Sequence, residues 1–197
     1  MNKVYIVTTY TGTILSYLIR NISKKLYTHV SISLNENLKP MYSFGRLNPR
    51  NPFIGGFVEE NINQGLYAIR KNTVCRVYSL EVDNLQYENL YKNIKSISDY
   101  REDYYYDTMA LIYLPMNIHR HSEYKYVCSN FVADMLEKSE IDILNKQAFE
   151  VTPNDFYNLS GLTLEYEGLL SEYNSRQHSY CLLYTSPSPR DKRQSRM

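Results

Sequence analysis

Hydrophobic and polar positions alternate most cleanly between His29 and Leu34. Val30, Ile32 and Leu34 point one way; His29, Ser31 and Ser33 point the other. A period of two predicts a strand. Asn35 to Lys39 reads as a turn, and Pro40 opens a second strand over 41–45. With Leu34 opposite Pro40, Ile32 falls opposite Tyr42 and Val30 opposite Phe44. Every large apolar side chain except Met41 then lands on the core side. The same register sets Ser43 opposite Ser31 and diagonal to His29, on the face that is not core.

The rest of the chain mixes both periods. Val4 to Thr8 predicts a strand, broken by Thr11-Gly12-Thr13. Ile14, Leu15, Leu18, Ile19 and Ile22 mark one face of a helix. Arg46 to Asn63, with its asparagine–proline turns and Gly55-Gly56, reads as a long loop over the sheet edge. Leu66–Ile69 and Val74–Val82 are expected strands, with Cys75 in the second as a structural residue. Tyr87, Leu90, Tyr91, Ile94 and Ile97 predict an amphipathic helix. Asp107 is placed to cap a further helix ending near Pro115. Phe131, Val132, Met135 and Leu136 follow Cys128 at helical spacing and form one apolar stripe. Thr152 to Phe156 reads as a helix start, and Leu162 to Tyr166 as a last strand. No internal repeat or domain linker interrupts the pattern. The expected class is α+β: a small antiparallel sheet with helices packed on it.

A chain of 197 residues is long enough for one domain with a real core. The formal net charge of +1 gives no case for a nucleic-acid or membrane-surface partner. No run approaches about 18 consecutive apolar residues, so no transmembrane segment is expected. The start of the chain lacks the apolar run and cleavage site of a signal peptide, which points to the cytoplasm. Nothing fixes an oligomeric state. The stretch from Cys181 to Met197 differs in character, with Ser/Pro alternation and basic residues. It resembles the translation of a transposon-type sequencing adapter, so residues 1–180 are taken as the single domain and 181–197 as an unstructured, artefactual tail. Without the tail the formal charge becomes −2, and two cysteines remain, Cys75 and Cys128. One possible bridge is no disulfide framework, consistent with a reducing compartment.

Chemistry concentrates on Cys128. At the first turn of its helix it lies beside free backbone N–H groups and the positive end of the dipole, both of which favour thiolate. The commoner role for a lone cysteine is a small buried hydrophobe. His29 changes the balance, because it opens an amphipathic strand on the polar side with a polar residue beside it on the next strand. A thiol, an imidazole and an orienting third group are the parts of an activated nucleophile. Other candidates are weaker. His119-x-His121 lacks an accompanying ligand cluster, so no metal is expected. Gly55-Gly56 matches no phosphate loop, and no cofactor is expected. Tyr104-Tyr105-Tyr106 suits packing, and Asp103 and Asp107 suit capping or solvation.

The segments Thr28-His29-Val30-Ser31-Ile32-Ser33-Leu34, Met41-Tyr42-Ser43-Phe44-Gly45-Arg46 and Val127-Cys128-Ser129-Asn130-Phe131-Val132 together resemble the circularly permuted, YiiX-like branch of the NlpC/P60 papain-like superfamily. The histidine hairpin precedes the cysteine helix here, the reverse of the unpermuted order. The resemblance covers roughly Val4 to Phe156 and implies a circularly permuted papain-like fold. By position it implies Cys128 as nucleophile, His29 as base and Ser43 as third group. Serine departs from the charged or amide residues usual there; it accepts a hydrogen bond but supplies no charge. Either Ser43 suffices, a group such as Glu59 or Glu60 substitutes, or activity is reduced. The implied function is a thiol hydrolase or acyltransferase acting on a peptide, a peptidoglycan fragment or a lipid ester through an acyl-enzyme. The alternatives are a binding module that kept the fold and lost turnover, and a structural domain with an inert cysteine.

Overall fold

A computed structural model describes residues 1–23, 26–48, 51–107, 122–157 and 159–173. The expected helix from Asp107 towards Pro115, the His119-x-His121 pair and residues 181–197 lie outside the described residues, Asp107 itself excepted.

The centre is a six-stranded antiparallel sheet in the order β4-β3-β2-β1-β5-β8. Its strands are β1 (Asn2–Tyr10), β2 (His29–Ser33), β3 (Met41–Asn48), β4 (Asn51–Glu60), β5 (Val74–Val82) and β8 (Thr163–Leu169). A short parallel pair, β6 (Tyr105–Tyr106) and β7 (Lys125–Tyr126), stands apart. The described helices are α1 (Ile14–Ser23), α2 (Gly65–Ile69), α3 (Asn84–Asp99) and α4 (Cys128–Glu137). The architecture is therefore α+β, and no described helix is long and apolar enough to cross a membrane.

Ile32 pairs with Tyr42 across β2 and β3, the register expected from the alternation. One face of the sheet carries Val4, Ile6, Val30, Ile32, Phe44, Leu80 and Val82. These join Leu90, Ile94 and Ile97 of α3 and Phe131, Val132, Met135 and Leu136 of α4 in the main core. The apolar stripes of both helices are thus buried as their periodicity requires. Asp83 caps α3 through a reciprocal capping box with Gln86, which fixes where that helix begins.

The other face departs from expectation. It was expected to be a polar face outside the core, yet Ser31, Ser33 and Ser43 are fully buried. A second core covers it, built from Tyr5, Val7, Met41, Cys75 and Val77 with Leu38, Ile62, Tyr67, Leu170 and Tyr173. Met41, the residue that broke the hairpin pattern, packs there. Small hydroxyl side chains are what a sheet can place under a second layer while each hydroxyl bonds locally. Ser33, for example, donates to the Pro40 carbonyl oxygen at 2.8 Å.

Two local expectations are corrected. Arg46–Asn63 is no loop: β3 runs on to Asn48, and β4 returns from Asn51 to Glu60. Pro52 is tolerated because β4 is an edge strand, where a missing N–H costs little. Gly55 and Gly56 lie in mid-strand. A Cβ on Gly55 would meet Tyr106 Cγ at 2.7 Å, so the glycine admits a ring against the backbone. Leu66–Ile69 belongs to a short helix, α2, not a strand. A run this short carries no periodicity that separates the two, and of these residues only Tyr67 is buried.

Candidate active site

Cys128 is the first residue of α4, after Val127 in extended conformation. No side chain caps this helix start, so its first N–H groups remain available. The helix dipole adds positive potential at the sulfur. Cys128 is 7% exposed, while Cys75 is 1% exposed within the second core. Neither thiol is bridged. Burial pushes the Cys75 thiol up to about 12, consistent with an inert structural residue.

His29 opens β2 opposite Thr9 of β1. Its Nε2 lies 2.9 Å from Glu60 Oε1, the last residue of β4. Glu60 is held firmly. Ser31 donates to its Oε2 in a short hydrogen bond, and the Tyr67 hydroxyl donates to the same oxygen at 3.4 Å. The Tyr67 hydroxyl also meets Thr9 Oγ1 at 3.4 Å. With Nε2 engaged by Glu60, Nδ1 is the ring nitrogen left for another partner. Cys128 is the other group that acts on the imidazole, raising its pKa after Glu60 does.

The charges in this group are coupled. Burial alone would depress the His29 pKa; the charge of Glu60, and after it charge and hydrogen bonding from Cys128, hold it well above the usual value of 6.5. Burial alone would raise the Glu60 pKa; the charge and hydrogen bond of His29, then Ser31 and Tyr67, hold it below the usual carboxylate value. Both effects favour imidazolium beside carboxylate. The His29 and Glu60 side chains keep 19% and 17% of their exposure, enough for a reactant to approach.

Ser43 is placed elsewhere. Its hydroxyl donates to the Val30 carbonyl oxygen at 2.8 Å, so it ties β3 to β2. The position beside His29 is taken by Glu60, one of the two acidic residues the sequence offered as substitutes; Glu59 is exposed and accepts from Ser98. Period two along β4 puts Val58 and Glu60 on one face and Phe57 and Glu59 on the other. Reading that stretch as a strand was the signal that would have singled out Glu60.

Tyr106 and Arg46 were not anticipated as site residues. The Tyr106 hydroxyl is raised in pKa by burial and then by the nearby Cys128, and it also feels Arg46. Both residues line a cleft of about 450 Å³ together with His29, Glu60 and Tyr67. Cys128 is not part of that lining; the wall residues His29 and Tyr106 feel its charge. Among the described residues no group of three or more His, Cys, Asp or Glu side chains is arranged to hold a metal ion. No protein-family model matches this chain, and no curated protein matches it significantly.

Proposed function

We propose that this chain is a cysteine hydrolase, or an acyl-transferring relative, with a circularly permuted papain-like arrangement of the YiiX-like kind. The observation that supports this reading is a single imidazole hydrogen-bonded to a part-buried carboxylate, with a helix-terminal thiol acting on the same ring. Glu60 supplies the charge that serine cannot, which favours turnover over a binding module of the same fold.

In this reading His29 holds the proton of Cys128 as imidazolium, and Glu60 balances that charge. The thiolate attacks an amide or ester carbonyl, forming a carbon–sulfur bond and placing negative charge on the carbonyl oxygen. The Cys128 backbone N–H at the helix start donates a hydrogen bond to that oxyanion. The imidazolium then protonates the departing amine or alcohol as its bond to carbon breaks, leaving a thioester. Neutral His29 deprotonates an incoming water or acyl acceptor, and its attack releases the acyl group and restores the thiolate–imidazolium pair.

An electrophilic thiol probe at neutral pH tests the reading. Cys128 should label rapidly while Cys75 is spared, and His29→Ala should slow the labelling of Cys128. Equal, slow labelling of both cysteines refutes it.

A further inference from the structure

We infer that Tyr67 is a positioning residue: its hydroxyl fixes which oxygen of Glu60 faces His29, and through that carboxylate it aims the imidazole. This rests on the hydrolase reading above and names what keeps its base in line.

A glutamate at the end of an edge strand has little of its own to hold it. Glu60 closes β4, which pairs only with β3, and a carboxylate turns easily about its last side-chain bond. Its two oxygens nonetheless have different partners. Oε1 lies 2.9 Å from His29 Nε2, while Oε2 accepts from Ser31 and, at 3.4 Å, from the Tyr67 hydroxyl. Two donors on one oxygen leave the other for the imidazole. Ser31 alone does not fix that division, because its Oγ also stands 3.3 Å from His29 Nε2 and serves both groups. Tyr67 bonds to the carboxylate and not to the ring.

Tyr67 is itself held from behind. It is the only buried residue of α2, 5% exposed, and belongs to the second core with Val7, Cys75 and Val77. Thr9 Oγ1 lies 3.4 Å from its hydroxyl; the one proton of that hydroxyl goes to Glu60, so Thr9 is the donor. Thr9 is fully buried and in register with His29 across β1 and β2. Thr9, Tyr67, Glu60 and His29 thus close a ring through β1, α2, β4 and β2. A tyrosine that serves packing alone turns its hydroxyl to water. This one directs it to a carboxylate in a poorly solvated site, where a hydrogen bond is stronger than in water. Burial and the Glu60 charge hold the hydroxyl well above its usual pKa, so it remains a donor at neutral pH.

Tyr67→Phe removes the hydroxyl and keeps the ring. Two readouts are taken at neutral pH: the imidazole nitrogen shifts of His29, by NMR of isotope-labelled histidine, and the iodoacetamide rate at Cys128, by peptide mass spectrometry. The Tyr67 hydrogen bonds are long, so their loss weighs less than loss of the Glu60 charge. Tyr67→Phe should move the His29 shifts part of the way towards those of Glu60→Gln and slow Cys128 by about three- to tenfold. In a Glu60→Gln background the same substitution should change the rate by less than about twofold, since it acts through the carboxylate. If Tyr67→Phe does not fold, Thr9→Val withdraws the donor behind the hydroxyl and should move both readouts in the same direction by a smaller amount. His29 shifts that match wild type in the folded variant overturn the positioning role. An equal loss of rate with and without the Glu60 charge overturns it too, because a merely structural effect adds independently. Displaced His29 shifts, with wild-type Cys128 alkylated no faster than Cys75, overturn the hydrolase reading and leave the hold on Glu60 standing.

Discussion

Replacing Glu60 with glutamine removes one negative charge and turns the oxygen that accepts from Ser31 and Tyr67 into an amide donor, to which those hydroxyls can rotate. The amide keeps an oxygen within reach of His29 Nε2 and preserves side-chain volume, so the contact survives while its charge does not. The His29–Glu60 distance of 2.9 Å and the low exposure of both side chains place this among charge-assisted hydrogen bonds in a poorly solvated site. Such bonds contribute on the order of 1.5–3 kcal/mol net. On the proposed reading the loss falls on the imidazolium that activates the thiol, and converts to a roughly 10–150-fold slower reaction at Cys128. Iodoacetamide labelling of Cys128, followed as a rate across pH, should be slower in Glu60→Gln. Ser43→Ala serves as the contrast. It removes a hydrogen bond to Val30 and touches no charge, so its labelling profile should overlay the wild type after allowance for any loss of folded protein. A Glu60→Gln profile identical to wild type, or a Ser43→Ala profile displaced as far, would refute the assignment of Glu60 as the charge-bearing partner.

Stability should depend on pH through the same pair. The His29 pKa is raised in the folded state, so its contribution is full below about 6.5 and is lost as pH rises through the raised folded value. The Glu60 pKa is lowered, so its contribution is present above about 4.5 and is lost as pH falls through the folded value. Urea midpoints should therefore hold a plateau between these limits and fall on both sides. In Glu60→Gln the acid-side fall should shrink; a fall of wild-type size would assign it to other groups. Gly55→Ala should destabilise by about 1–3 kcal/mol, because its Cβ would press on the Tyr106 ring at 2.7 Å and on the Gly45 carbonyl oxygen at 3.0 Å. An unchanged urea midpoint would show that the ring moves aside freely.

The parts of this molecule that were legible in the sequence are those where one period dominates. The β2–β3 register followed from six alternating residues and a turn, and α3 and α4 from their apolar stripes. The positions of Cys128 and His29 were legible because each sits at the start of such an element. Ser43 was offered as the third group because strand adjacency was the only geometry available. Its hydroxyl instead follows the nearest backbone acceptor. Glu60 was only a substitute because glycines and prolines made its strand look like a loop. Both are accounted for by things a single sequence does not display: an edge position for Pro52 and a ring lying on Gly55. The second core was hidden for a related reason. Serines under a covering layer look the same in sequence as serines facing water, until Leu38, Ile62 and Leu170 are known to fold over them.

Glu60 belongs to the outermost ladder of the sheet, paired only to β3, and it ends its strand. Outer ladders open by local fluctuations that leave a protein's interior intact. If β4 peels from β3, His29 loses its counter-charge while α3, α4 and the inner strands stay folded. On the proposed reading, reactivity at Cys128 is tied to the opening free energy of one strand, and warming should silence the thiol before the molecule as a whole melts.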